Sequence, residues 1–301
     1  MRPISHLPSF RAILFCAFLA GLASPTPSAR AYDLPLKAFK NELFSDLPIS
    51  DVSDDGARVV VAYSKQRDLY GRDAVPEKRV KEAYVSSRVT RLQANETLSL
   101  GAHKVEFARV GAKRGADFAV IFIHGRGGDR QLGVNDYTFG GNFNRLKNLI
   151  VQNGGSYYVP TVRDFEQAGV DAISRLVKRV HERNKNRPVI LACASMGSFI
   201  CWGAARDAET VSHLAGMAII GGAPNRDFSR TPAYRARLPL YITHGGDDPV
   251  YPVAEQTAFF RTLHEAGYPT RMTVFATGSH GTPIRMTDWW RLLNWTLAQG
   301  R

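Results

Sequence analysis

Cysteine is scarce in this chain, with 3 among 301 residues, so the fold does not rest on a disulfide framework of the kind small secreted domains use. A chain of this length can build its core without such staples or structural metals. No Cys, His and carboxylate cluster has metal-ligand spacing, and no metal or other cofactor is expected. Dense Lys/Arg runs interleaved with aromatic residues are missing too. The formal charge of +12 is scattered, which favours solubility over nucleic-acid binding. Past the N-terminal segment no apolar run approaches the roughly 20 residues of a membrane-spanning helix, and no repeat or low-complexity block appears. Hydrophobic residues at 44% and charged residues at 22% exclude a mostly disordered chain. What remains is an ordinary globular sequence, long enough for one large domain.

The N-terminus differs from the rest. Arg2 and Arg11 lead into an apolar run over 13–23, and a stretch rich in proline and small residues ends at Ala29-Arg30-Ala31. A basic start, a short apolar segment and an A-x-A site predict a secretory signal over 1–31, cleaved near Ala31. The run is too short for a retained anchor, and Leu14-Phe15-Cys16 lacks the small residues that precede a lipidated cysteine. The mature chain is therefore expected to be secreted or periplasmic. Its charge stays positive after the loss of Arg2, Arg11 and Arg30, which leaves peripheral contact with anionic surfaces open. Two cysteines survive, Cys193 and Cys201. Export permits a disulfide, but two small buried apolar side chains are the preferred expectation.

The remainder reads as a β-rich segment over 32–115, joined to the main sheet, and a catalytic core over 116–301. In the first part, alternation at 58–63, 80–91 and 104–110 predicts strands, with turns at Asp54-Asp55-Gly56 and 111–115. From Phe118 the pattern changes. Short apolar runs at 118–123, 156–159, 188–192, 213–220, 239–243 and 270–275 read as strands. Helical spacing marks 142–152, 166–184, 198–205, 254–266 and 287–298. Strands alternating with helices through long connections predict an α/β architecture, a mostly parallel central sheet with helices on both faces. Such sheets bind ligands beyond the carboxyl ends of their strands.

Four of those ends carry chemistry. After 188–192 comes Cys193-Ala194-Ser195-Met196-Gly197 and then a helix. A serine on a tight strand-to-helix turn projects its hydroxyl above the sheet, and small flanking residues let strand and helix approach. Cys193 stands where glycine is usual. After 118–123 comes His124-Gly125-Arg126-Gly127-Gly128-Asp129. Its glycines, with Gly125 and Gly127 nearest a substrate, can turn backbone N–H groups inward, and the Arg126 and Met196 amides are the candidate oxyanion hole. Neither G-x-G-x-x-G nor a Walker lysine follows, which argues against nucleotide binding. After 239–243 comes His244-Gly245-Gly246-Asp247-Asp248-Pro249-Val250. Either aspartate can orient a histidine, and Asp248 is favoured because the Pro249 turn follows it. After 270–275 comes Gly278-Ser279-His280-Gly281, where His280 can act as general base. His264 falls in an amphipathic helix as a surface or packing residue, and His124 and His244 are read as shaping the strand ends.

Serine, acid, histidine in that order, each at a strand end, resembles the α/β-hydrolase superfamily from about Phe118 to the C-terminus. The H-G-x-G-G and H-G-x-x-D-P-V segments are similar to those of carboxylesterases, lysophospholipases and dienelactone-hydrolase relatives. The resemblance implies an α/β-hydrolase fold and a Ser195–His280–Asp248 triad. The activity expected is cleavage of a small-molecule or lipid-like ester through an acyl-enzyme. Peptidase, acyltransferase and a non-catalytic binding protein on the same fold stand as alternatives. Few residues separate the strand ending at Ile220 from Pro239, so no large cap domain is expected. The loop over 131–141, with Tyr137 and Phe139, is a candidate wall of the acyl pocket.

Overall fold

A computed structural model of the protein describes residues 34–74, 79–100 and 103–299. The signal segment expected at 1–31 lies outside the described residues. Among the described residues ten strands form one sheet, and most of it is parallel. In chain order these are β1 (Ile49–Ser53), β2 (Arg58–Val61), then, after a two-stranded ribbon of β3 (Asp73–Ala74) and β4 (Arg79–Val80), β5 (Gln93–Leu100) and β6 (His103–Gly111). The core continues with β7 (Ala119–Ile123), α1 (Asn142–Gln152), β8 (Ser156–Pro160), α2 (Gln167–Arg183), β9 (Val189–Ala194) and α3 (Gly197–Ala204). It closes with α4 (Ala208–His213), β10 (Leu214–Ile220), α5 (Pro232–Arg235), β11 (Leu240–Gly245), α6 (Val253–Glu265), β12 (Thr270–Phe275), α7 (Thr282–Met286) and α8 (Trp289–Ala298).

The spatial order is β1-β2-β12-β11-β10-β9-β7-β8-β6-β5. Strands β2 through β8 along that order run parallel, while β1, β6 and β5 join by antiparallel pairing. Every residue of β7 and β9 is buried, as their continuous apolar runs require of strands covered on both faces. Alternate side chains feed two cores. Ile121, Leu191, Ile219 and Ile242 pack against α2, α3 and α6 on one face. Val120, Phe122, Ile190 and Ala218 meet α1 and α8 on the other, where Trp289, Leu292, Leu293 and Leu297 are buried.

One strand is absent where alternation predicts it. Over 80–91 only Arg79–Val80 pairs as a strand, and two short helical turns follow. The reason lies in α1: the Asn144 side chain takes the Ser86 N–H and donates back to its carbonyl, and Asn148 donates to that carbonyl as well. Side-chain amides satisfy the backbone there, so no neighbouring strand is needed. Between β10 and β11 the chain forms only a helical turn, Phe228–Arg230, and α5, which leaves no cap domain. Among the described residues no helix is long and apolar enough to cross a membrane.

Candidate active site

The carboxyl ends of β7, β9, β11 and β12 gather on one edge of the sheet, bringing together side chains as far apart in sequence as Ser195 and His280. Ser195 caps β9 with φ of +51°, a left-handed conformation that costs an L-residue roughly 1–3 kcal/mol. Its N–H is held by the Ile220 carbonyl of β10 at 3.0 Å. Gly197 is required by space: a Cβ there would lie 2.7 Å from the His124 carbonyl. Gly125 is equally close, since its Cβ would stand 2.8 Å from that of Ser195. The glycine-rich loop therefore rests directly on the serine.

From Ser195 a hydrogen-bonded chain runs inward. Its Oγ lies 2.8 Å from His280 Nε2, and His280 Nδ1 lies 2.8 Å from Asp248 Oδ2. A carboxylate can only accept, so the imidazole carries its proton on Nδ1 and Nε2 is free to receive one from the hydroxyl. Asp248 is held in turn by the Val250 and Tyr251 N–H groups at 2.8 and 3.1 Å on Oδ1. Asp247 is exposed and serves only through its backbone, donating to the Gly278 carbonyl at 2.9 Å. Of the two aspartates, Asp248 is the one whose carboxylate meets His280.

Two further histidines stand behind this chain. His124 is buried, receives the Val162 N–H on Nε2 at 3.0 Å and donates from Nδ1 to the Gly125 carbonyl at 2.7 Å. Burial lowers its pKa, which favours the neutral ring. His244, also buried and lowered by desolvation, donates from Nε2 to the Tyr251 carbonyl at 2.8 Å and so fixes the turn that grips Asp248. Tyr251, which no sequence motif singles out, has its ring 5.7 Å from that of His280. His264 stacks on Phe260 in α6, away from the chain.

The Arg126 and Met196 amides have no hydrogen-bond partner among the described residues, so both are free to face an oxyanion. Beside them opens a cleft of about 660 Å³, bordered by Arg126, Gly127, Arg130, Arg163, Phe165 and Met196. Glu106 is shared between Arg130 at 2.9 Å and Arg163 at 3.6 Å. Tyr137 is tied elsewhere, its hydroxyl on Glu82 at 3.1 Å and its ring beneath Arg79. Phe139 packs edge-on against Phe143 and faces Gly281, next to His280. Among the described residues no group of His, Cys, Asp and Glu side chains is placed to hold a metal ion.

The cysteines depart from expectation. Cys193 and Cys201 are joined as a disulfide, with Cα atoms 6.2 Å apart, where two free buried thiols were expected. The strand end and the second turn of α3 converge around Ser195, which brings both side chains to one point within bridging reach. Cysteine at the position usual for glycine thus ties the serine turn to its helix.

No family model matches the chain, and no curated protein sequence is significantly similar to it. Solved structures are similar in fold. A thermostable esterase superposes with a TM-score of 0.56 at 19% identity, over 70% of this chain and 64% of that one. The chain thus spans under two thirds of that esterase. An esterase of Pyrococcus furiosus gives 0.51 at 13% identity, over 69% of this chain and 92% of that one. An α/β serine hydrolase homologue from Coxiella burnetii gives 0.50 at 17%, over 68% and 97%. By sheet order, site placement and these likenesses, the chain has the α/β-hydrolase fold.

Proposed function

We propose that the protein is an exported serine hydrolase that cleaves carboxylic esters, with Ser195 as nucleophile, His280 as base and Asp248 as the orienting acid. The observation that carries this reading is the continuous Ser195–His280–Asp248 hydrogen-bonded chain. His280 Nε2 takes the hydroxyl proton as Oγ attacks the acyl carbon, and the Arg126 and Met196 amides receive the developing oxyanion. The imidazolium, paired with Asp248, returns the proton to the departing alkoxide. Water then enters, gives its proton to His280 and releases the acid from Ser195 by the reverse sequence.

An ester is favoured over an amide because an alkoxide leaves more readily than an amine. One arm of the substrate lies in the cleft beside Met196, and Phe139 bounds the other side near Gly281. The absence of a cap between β10 and β11 suits small or lipid-like esters that approach from open solvent. The Cys193–Cys201 disulfide supports export, since such bonds persist in oxidising compartments. The excess of basic residues supports peripheral contact with anionic surfaces.

A fluorophosphonate probe tests the reading. The protein is expected to be labelled and Ser195→Ala to be blank, with ester turnover reduced by about 10⁴- to 10⁶-fold. Equal labelling of both proteins, or of neither, rejects it. A panel of ester, amide and alternative acyl acceptors then separates esterase from peptidase and acyltransferase.

A further inference from the structure

His280 sits on the turn between β12 and α7, and its ring must meet two partners at once, each at 2.8 Å. Something must hold that turn. Helix α7 has five residues, too few to keep a direction without tertiary contacts. Its first turn is continuous with the histidine loop, for the Thr282 N–H bonds the Ser279 carbonyl at 2.9 Å and the Arg285 N–H bonds the Gly281 carbonyl at 3.3 Å. What fixes the helix fixes the loop.

The support comes from the N-terminal segment, to which no motif assigns a part in the chemistry. At the near end of the loop, the Ala276 N–H bonds the Val61 carbonyl at 3.0 Å and the Thr277 hydroxyl bonds the Tyr63 carbonyl at 3.2 Å. At the far end, the buried Arg285 guanidinium makes two parallel bonds to the buried Asp73 carboxylate at 3.0 and 2.6 Å, and a third to the Asp68 carbonyl at 3.3 Å. A planar fork on a carboxylate fixes orientation as well as distance. Asp68 is fully buried, and its carboxylate takes the Ser64 N–H and the Arg67 guanidinium, so the segment that meets Arg285 is itself rigid. The same guanidinium stands 2.8 Å from where a Cβ at Gly140 would lie, beneath the turn that carries Phe139.

We propose that Asp73 and Arg285 are positioning residues: through this ion pair, residues 61–73 hold the His280 loop in register with Ser195 and Asp248. The proposal rests on the serine-hydrolase reading above. A pair that merely stabilised the fold would affect melting and leave turnover by the folded enzyme unchanged. A positioning pair affects kcat while leaving KM nearly alone.

The test compares p-nitrophenyl acetate kinetics and thermal melting for the full chain, Asp73→Asn, and the double variant Asp73→Leu/Arg285→Met. The double variant removes both charges together, so no buried charge is left unpaired. Both variants are expected to lose about ten- to a hundredfold in kcat, with KM within about twofold and, for the double variant, melting close to that of the parent. Val180→Ala, a core change in α2, is expected to lower melting without changing kcat at temperatures where it is folded. A folded double variant with parental kcat overturns the proposal. So does failure of both Asp73 variants to fold while Val180→Ala folds, which makes the pair an element of the whole fold. Failure of the underlying reading looks different: the parent itself neither turns over the ester nor labels at Ser195.

Discussion

At the scale of single residues, the site depends on side chains that never touch a substrate. Burial holds His124 and His244 below the ordinary histidine range, which favours their neutral forms. Half-buried His181 is lowered in the same direction, first by desolvation and then by His213. A histidine lowered in the folded state takes up its proton at a lower pH than its unfolded counterpart, which does so near pH 6.5. The unfolded chain then binds more protons, so stability rises with pH in that window and is lost as pH falls through it. Each such proton contributes about 1.4 kcal/mol per pH unit. Replacing His124 by glutamine is expected to flatten the dependence of unfolding free energy on pH below 6.5, by at most one proton. Urea titrations of both proteins across that range measure it. Parallel slopes would show that His124 is not a buried neutral group.

At the scale of elements, the serine turn is braced on three sides. The Ser195 N–H is tied to β10, Gly125 lies against its side chain, and the disulfide joins β9 to α3. For a bridge spanning 8 positions, loop-closure entropy gives about 2.5 kcal/mol, or roughly 5–10 °C of melting temperature in a domain of this size. The double variant Cys193→Ala/Cys201→Ala is therefore expected to melt lower by that amount. Reductant should bring the parent to the same temperature and leave the variant unmoved; a parent indifferent to reductant, melting with the variant, would rule out the bridge. This element also shows how far the sequence was legible. Strands β7 to β12 and helices α1, α2 and α6 stand out because apolar runs and 3.6-residue periodicity are local signals. Ser195, Asp248 and His280 stand out in the sequence by their order, each at a strand end, and these side chains meet in one hydrogen-bonded chain. Pairings set by tertiary convergence were not legible. The Cys193–Cys201 geometry depends on how α3 leaves β9, the Asp73–Arg285 pair joins positions 212 apart, and the side chains of Asn144 and Asn148 override the strand pattern at Ser86.

At the scale of the whole molecule, the N-terminal segment is built into both edges of the sheet. Strand β2 continues the parallel array beyond β12, with β1 outside it, and β6 and β5 extend the opposite edge beyond β8. The contributions are buried: Val105, Phe107 and Val110 of β6 sit in the two main cores, and Val61 and Tyr63 pack with Phe275 and Met286. Charge knits the same seam, since Glu96 of β5 pairs with Arg109 at 2.6 Å and with Arg183 of α2 at 3.1 Å. A chain beginning at residue 116 would keep every residue of the Ser195–His280–Asp248 chain and the glycine loop, yet it would expose the flanks of β12 and β8 as unpaired edges. Exposed, flat, apolar edges template association with other chains. Such a truncation is expected to be insoluble or to run as aggregate in size-exclusion chromatography. The chain from residue 32 is expected to unfold in one cooperative transition, coincident by circular dichroism and tryptophan fluorescence. A soluble, monomeric and active 116–301 fragment, or separate transitions for the two segments, would show instead that the N-terminal strands are an appendage. The support they give to the His280 loop would then have to come from within the core.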